Sequence, residues 1–335
     1  MFTRSLVVVV MAGTSFAGAS QLTAGTAAAV SPARLAAAHA AAPAAAAAAG
    51  GRIAFSQWDL LPGGSLTAHS NVYTINPDGT GRRQLTHVDA AHAAGAPDWS
   101  ADGSKIVYES NQTGDYRIWV MHAGGSGKRR LTSDPGFADL LPTWSPDGKR
   151  ILFSRCDDHL GFIADCDLEV MNAAGTGMRR LAGGHWTYVR GQYSPDGRRI
   201  VVGADRGGLL SALWVLRADG SGLHRITRPS LQAFWPGWSP DGRRIVFTDN
   251  CCQIGSNIWT VRPSGKGLRE LTHFPPRQQV GFASYSPGGR RIVLLPPETT
   301  CCQSFAVMNA DGSGLHTVRT GVPNTFLTDW GRRAG

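Results

Sequence analysis

One motif recurs along most of this chain, and its spacing restricts the fold more than any other feature. "TWSPDGKRILFS", Thr143 to Ser154, returns as "DWSADGSKIVYES" from Asp98, "QYSPDGRRIVVGA" from Gln192, "GWSPDGRRIVFTD" from Gly237 and "SYSPGGRRIVLLP" from Ser284. Its aromatic falls at Trp99, Trp144, Tyr193, Trp238 and Tyr285, and Trp330 in "DWGRR" continues the series. The spacings are 45, 49, 45, 47 and 45 residues. A second motif keeps phase in six copies. These are "NPDGTGRRQLT" from Asn76, "HAGGSGKRRLT" from His122, "NAAGTGMRRLA" from Asn172, "RADGSGLHRIT" from Arg217, "RPSGKGLREL" from Arg262 and "NADGSGLHTV" from Asn309. Self-similarity at this period is the mark of a repeat architecture.

Each unit reads as four short strands. The first ends at the aromatic. Pro then fixes φ and Gly accepts the positive φ of a tight hairpin. The second strand is an apolar, β-branched run such as Ile-Val-Phe. A variable loop leads to a third strand ("RIWVMH", "NIWTVR"), and the Asp-Gly-Ser-Gly turn leads to a fourth. Such a sheet cannot bury both faces alone, but sheets stacked radially cover one another. The unit beginning at Gly51 lacks an aromatic strand, and the one ending near Trp330 has only that strand. The two halves complete one blade. The expectation is an all-β, six-bladed propeller of four-stranded antiparallel blades over residues 51–335, closed by the C-terminal strand joining the first blade. An open solenoid would leave two raw sheet edges.

The first fifty residues read differently. "MFTR" followed by "SLVVVVMAGTSFAG" is a basic start and an apolar core of secretory length, too short to span a bilayer. Residues 1–29 are expected to be a signal peptide, and the Ala-rich residues 30–50 a disordered linker. The expected location is outside the cell or at the cell wall, or the periplasm where the host has an outer membrane. No later run reaches membrane-spanning length, and a monomer is expected.

The paired motifs, aromatic-Ser-Pro-Asp-Gly-Lys/Arg-Arg-Ile and Asn-Ala-Asp-Gly-Ser-Gly, resemble the TolB-type propeller repeat, itself similar to WD repeats. The resemblance runs from Gly51 to the C-terminus. It implies a propeller of the kind that binds peptide segments of partner proteins in a central funnel. Relatives of the same shape serve as gating domains of prolyl-oligopeptidase-like enzymes or as lyases on sugar polymers. This chain departs from the pattern in having an Ala-rich segment where TolB has a small N-terminal domain. It also shows no Gly-x-Ser-x-Gly elbow of a hydrolase.

Function is expected in the variable loops, since sites are placed on loops carried by a rigid scaffold. The blade-to-blade loops hold His87, His92, His185, Trp186, Tyr188, Phe234, Trp235, His273, Phe274 and Arg277. Aromatics with a few polar groups suit peptide, protein or glycan recognition. The leading reading is a secreted, non-enzymatic binding propeller that uses this long-loop face. The alternative is an extracellular carbohydrate-active enzyme of the polysaccharide lyase type, using funnel His and Arg residues. No His-x-x-x-His or Cys-x-x-Cys pattern marks a metal, and no cofactor is expected. The net charge of +9 is concentrated in Lys-Arg and Arg-Arg pairs after the two turns. Those bases either lie over strand edges or touch an anionic polymer. They lack the interleaved aromatics of a nucleic-acid groove, so no nucleic acid is expected. Six cysteines follow an export pattern, so oxidation is expected. Cys156 and Cys166 frame a hairpin loop and should pair. Cys251-Cys252 and Cys301-Cys302 either form vicinal bridges or lean across blades.

Overall fold

The structure is a computed structural model. It describes residues 51–60, 66–157, 164–184, 186–205, 211–249, 255–276, 278, 280–296, 304–319 and 325–330. The expected signal peptide and linker, His185, Arg277 and the four cysteines of the two Cys-Cys pairs lie outside these residues.

Six four-stranded antiparallel sheets form, as the repeat requires. Their inner strands are Thr325–Trp330 (blade 1), Ala94–Trp99 (blade 2), Phe137–Trp144 (blade 3), Thr187–Tyr193 (blade 4), Phe234–Trp238 (blade 5) and Gly281–Tyr285 (blade 6). Each inner strand touches the next in that order, and blade 6 returns to blade 1. Blade 1 is built from both ends of the ring: Ile53 pairs with Trp330 and Gln57 with Thr325. This is the closure implied by the two incomplete units.

The first turn shows why its residues repeat. Ser145 Oγ donates to Asp147 Oδ1 at 2.6 Å and accepts the Arg150 N–H at 2.9 Å. The Lys149 N–H reaches the same carboxylate at 3.0 Å, and Gly148 takes a φ of 66°. Ser100/Asp102, Ser194/Asp196 and Ser239/Asp241 repeat the arrangement. The serine hydroxyl and backbone N–H donors hold these carboxyls below their usual range, Asp102 at about 2. Blade 6 has Gly288 where blades 2 to 5 have aspartate.

The second turn docks one blade on another. A Cβ on Gly220 or Gly312 would lie 2.6 Å from the Leu181 or Leu271 carbonyl oxygen of the preceding blade. Both glycines also have positive φ, so any side chain there would strain the backbone and push the blades apart. Between blades the core is continuous. Ile118 of blade 2 packs with Trp144, Ile151 and Phe153 of blade 3. No helix among the described residues is long and apolar enough to cross a membrane.

Candidate functional site

Every inner strand pairs irregularly three residues before its aromatic. At that bulge the backbone turns left-handed: Ala96, Leu141, Arg190, Trp235 and Phe282 have φ between 46° and 54°. A bulge re-aims its side chain, here from the seam between blades towards the axis. Ala96, Leu141 and Trp235 lie in one cluster with Val189 and Phe282. These residues come from five blades, including the opposed blades 2 and 5, so the cluster lies at the centre of the ring. It plugs the axis. Trp235 is 8% exposed, and its ring centroid is 4.5 Å from that of Phe282. Left-handed geometry costs a non-glycine residue about 1 kcal/mol or more. Side chains on the neighbouring blade satisfy two of the freed amides: the Ala96 N–H donates to Ser56 Oγ at 3.1 Å and the Leu141 N–H to Glu109 Oε2 at 2.7 Å.

Arg190 occupies the same bulge position in blade 4 and is 8% exposed. Its charge acts on three carboxylates from blades 1 and 2, namely Glu109, Asp98 and Asp329. Glu109 is 2% exposed. Burial pushes it up to about 7, against the Leu141 N–H and Arg190, which favour its charged form. Asp98 stands well above the usual range, first through burial and then through the neighbouring Asp329 carboxylate. Burial raises Asp329 as well.

Side chains just before the aromatics stitch the ring. Asp329 accepts the Trp99 N–H at 3.0 Å, Asp98 the Trp144 N–H at 2.7 Å and Gln192 the Trp238 N–H at 2.6 Å. Thr143 donates to the Gly191 carbonyl at 2.8 Å. On the repeated-turn side of this girdle a cup of about 190 Å³ opens at the axis. Its wall is the full ring of repeat aromatics, Trp99, Trp144, Tyr193, Trp238, Tyr285 and Trp330, each 5–8% exposed. Prolines of the first turn form the rim, and Asp98 and Asp329 line the cup with them.

The loop residues singled out from sequence are scattered by comparison. Phe234 and Trp235 join the axial plug, where Trp235 is buried. Tyr188 is buried in blade 4 and stacks on Trp186, which meets Trp214 edge-on at 5.0 Å. Phe274 packs against the core between blades 5 and 6. His87 is exposed. The His273 side chain is 77% exposed, with Glu270 3.6 Å away. His92 Nδ1 lies 2.5 Å from Asp89 Oδ1, and His69 Nδ1 contacts the Asp89 carbonyl at 2.6 Å. Asp139 is buried in a two-pronged pair with Arg155, at 2.7 and 3.1 Å. Among the described residues no three His, Cys, Asp or Glu side chains converge as a metal would need. Cys156 and Cys166 form the expected disulfide across paired strands. The bases of the repeated-turn face are mostly exposed, but Arg199 lies 5.1 Å over the Trp238 ring of the next blade. One arginine–aromatic contact therefore crosses a blade seam on that face.

Residues 60–176 match the family described as TolB beta propeller domain. An uncharacterized protein of Agrobacterium fabrum is 32% identical over 133 residues, which is 38% of this chain and 44% of that protein. The Tol-Pal system protein TolB of Anaeromyxobacter dehalogenans is 48% identical over 46 residues, 14% of this chain and 10% of the relative. The chain thus spans less than half the length of these curated relatives. Among solved structures, TolB from Acinetobacter baumannii superposes with a TM-score of 0.67 at 19% identity, covering 84% of this chain and 66% of that one.

Proposed function

We propose that this chain, whose ring is a TolB-type β-propeller, is a binding propeller that engages a basic segment of a partner peptide or protein at the axial cup. The observation that carries the reading is the cup itself. It combines an aromatic wall with two carboxylates whose burial leaves them short of compensating charge. A lysine or arginine side chain entering it gains attraction to the aromatic rings and to both acids. The similarity to TolB proteins, which the resemblance of the repeats associates with peptide binding, supports the same class of function.

Export belongs to the proposal. A disulfide at Cys156–Cys166 suits an oxidising compartment, and the apolar N-terminal stretch suits secretion to the periplasm or beyond. The lyase alternative draws on His185 and Arg277, outside the described residues, and on His87, His92 and His273. Of these, His92 is engaged with Asp89 and His273 lies beside Glu270.

The test uses a panel of short peptides differing at one central residue (Lys, Arg, Ala or Glu) and titrated against the full chain. Basic peptides should bind, and binding should fall at least tenfold in the Asp98→Asn/Asp329→Asn double variant with little change in melting temperature. Equal binding of Lys and Glu peptides, or undiminished binding by the double variant, would sink the reading.

A further inference from the structure

The seam between blades 5 and 6 differs from its neighbours in a way that the axial cup does not explain. A groove of about 730 Å³ opens there on the repeated-turn face. It is lined by Arg243, Arg244 and Arg269, with Asp241, Asp311 and Thr260 among its polar groups.

Two residues keep it open and cationic. In the seam between blades 4 and 5, Arg199 lies 5.1 Å over the Trp238 ring of the next blade. Arg199 pairs directly with Arg217, and the next same-face pair, Val201–Val215, offers no side-chain acceptor. In blade 5 the matching pair is Val246–Thr260. Thr260 Oγ1 accepts from Arg244 at 3.3 Å and ties that guanidinium to its own blade. The second residue is Gly288. Blades 2 to 5 place Asp102, Asp147, Asp196 and Asp241 at this turn position, all held in their charged form by their hydrogen bonds. The seam between blades 1 and 2 illustrates the difference: Arg52 makes the same bond to Thr74, at 3.1 Å, but Asp102 stands at the turn. A Cβ on Gly288 would meet nothing within 4 Å, so the site has room for an aspartate and lacks one.

We propose that this groove is a binding site for an acidic sugar unit, a saccharide carrying a carboxylate. The three guanidinium groups provide the forked donors that match a carboxylate. Asp241 and Asp311 disfavour a bare, multiply charged anion such as phosphate, but they accept hydrogen bonds from sugar hydroxyls. Thr260, which accepts from Arg244, adds a hydroxyl that can donate. A ligand with one negative group and several hydroxyls satisfies both sets.

The experiment titrates the full chain by calorimetry with an alginate tetrasaccharide, with neutral cellotetraose and with inorganic phosphate. The alginate fragment should bind saturably. Cellotetraose should not bind, and phosphate should bind at least tenfold more weakly. Gly288→Asp restores the residue that four other blades carry. It should cut alginate affinity at least tenfold while leaving the melting temperature equal or higher, so lost binding cannot be ascribed to lost folding. Arg269→Ala should weaken binding similarly. The Asp98→Asn/Asp329→Asn variant should bind alginate normally, which separates this site from the cup. Absence of saturable binding, phosphate binding as tight as alginate, or an unaffected Gly288→Asp variant would each overturn the proposal.

Discussion

Three residues of chain separate the closed half of the axis from the open half. At the bulge, Leu141, Trp235 and Phe282 turn inward and meet as an apolar plug. Three residues on, Trp144, Trp238 and Tyr285 stand around an open cup with carboxylates among them. The same strands make both: inner strands of blades 2 to 6 meet in the plug, and all six inner strands line the cup. The difference lies in backbone conformation: the left-handed bulge residue leaves the blade seam for the axis, whereas the aromatic after it stays on the wall. Stability should therefore depend on the plug and recognition on the cup.

That division can be broken at several points. The largest effect should come from deleting residues 325–335, which removes the closing strand of blade 1 and, with Asp329 and Trp330, part of the cup. The ring should then fail to fold cooperatively, or melt at least 15 °C lower. An unchanged melting curve would mean that closure is not structural.

Trp235→Ala empties part of the plug and should cost about 3–5 kcal/mol in chemical denaturation. Peptide binding by the protein that remains folded should be unaffected. Loss of binding with full stability would reverse the assignment.

Glu109 tests the electrostatics beneath the plug. Its folded-state pKa of about 7 lies above the ordinary glutamate value of 4.5. The folded protein therefore binds the extra proton, and stability must fall as pH rises from about 4.5 through 7. One unit is worth 1.36 kcal/mol, so the loss is on the order of 3 kcal/mol. Glu109→Gln keeps the acceptor for the Leu141 N–H and should flatten that slope, leaving the variant more stable than the wild type at pH 8. Parallel slopes would refute the assignment.

A smaller effect, ~2.5 kcal/mol on the loop-entropy estimate, should follow from replacing Cys156 and Cys166 with alanine. Their disulfide packs into the same axial cluster. The change should appear in unfolding and not in peptide affinity.

Much of the fold can be read from the sequence because geometry forces repetition. Each Ser-x-Asp-Gly turn uses its serine and acid for identifiable hydrogen bonds and its glycine for a positive φ, so the motif marks the hairpins of blades 2 to 5, and blade 6 keeps all of it but the acid. The plug leaves no such mark. Ala96, Leu141, Arg190, Trp235 and Phe282 share a slot and have nothing in common as residue types. What unites them is a left-handed backbone that no local pattern announces. Trp235 therefore reads as an exposed loop aromatic and proves to be buried. The cup was hidden for the opposite reason. Its aromatics are so regular that they read as scaffold, and they are scaffold and wall together. One signal was available: Asp98 and Asp329 precede their tryptophans where other blades carry Thr, Gln, Gly or Ser. Two acids in a slot that faces the axis are the departure from repetition that points to the cup.

The most direct test of the cup is its proton linkage. A cation bound beside Asp98 and Asp329 must hold both in the charged form, so binding a Lys-containing peptide should release protons. Calorimetry at pH 6 in two buffers of different ionisation enthalpy measures that release. The account predicts net proton release on binding and an affinity that rises with pH as the two acids ionise. No proton release with a flat affinity, or proton uptake, would contradict it.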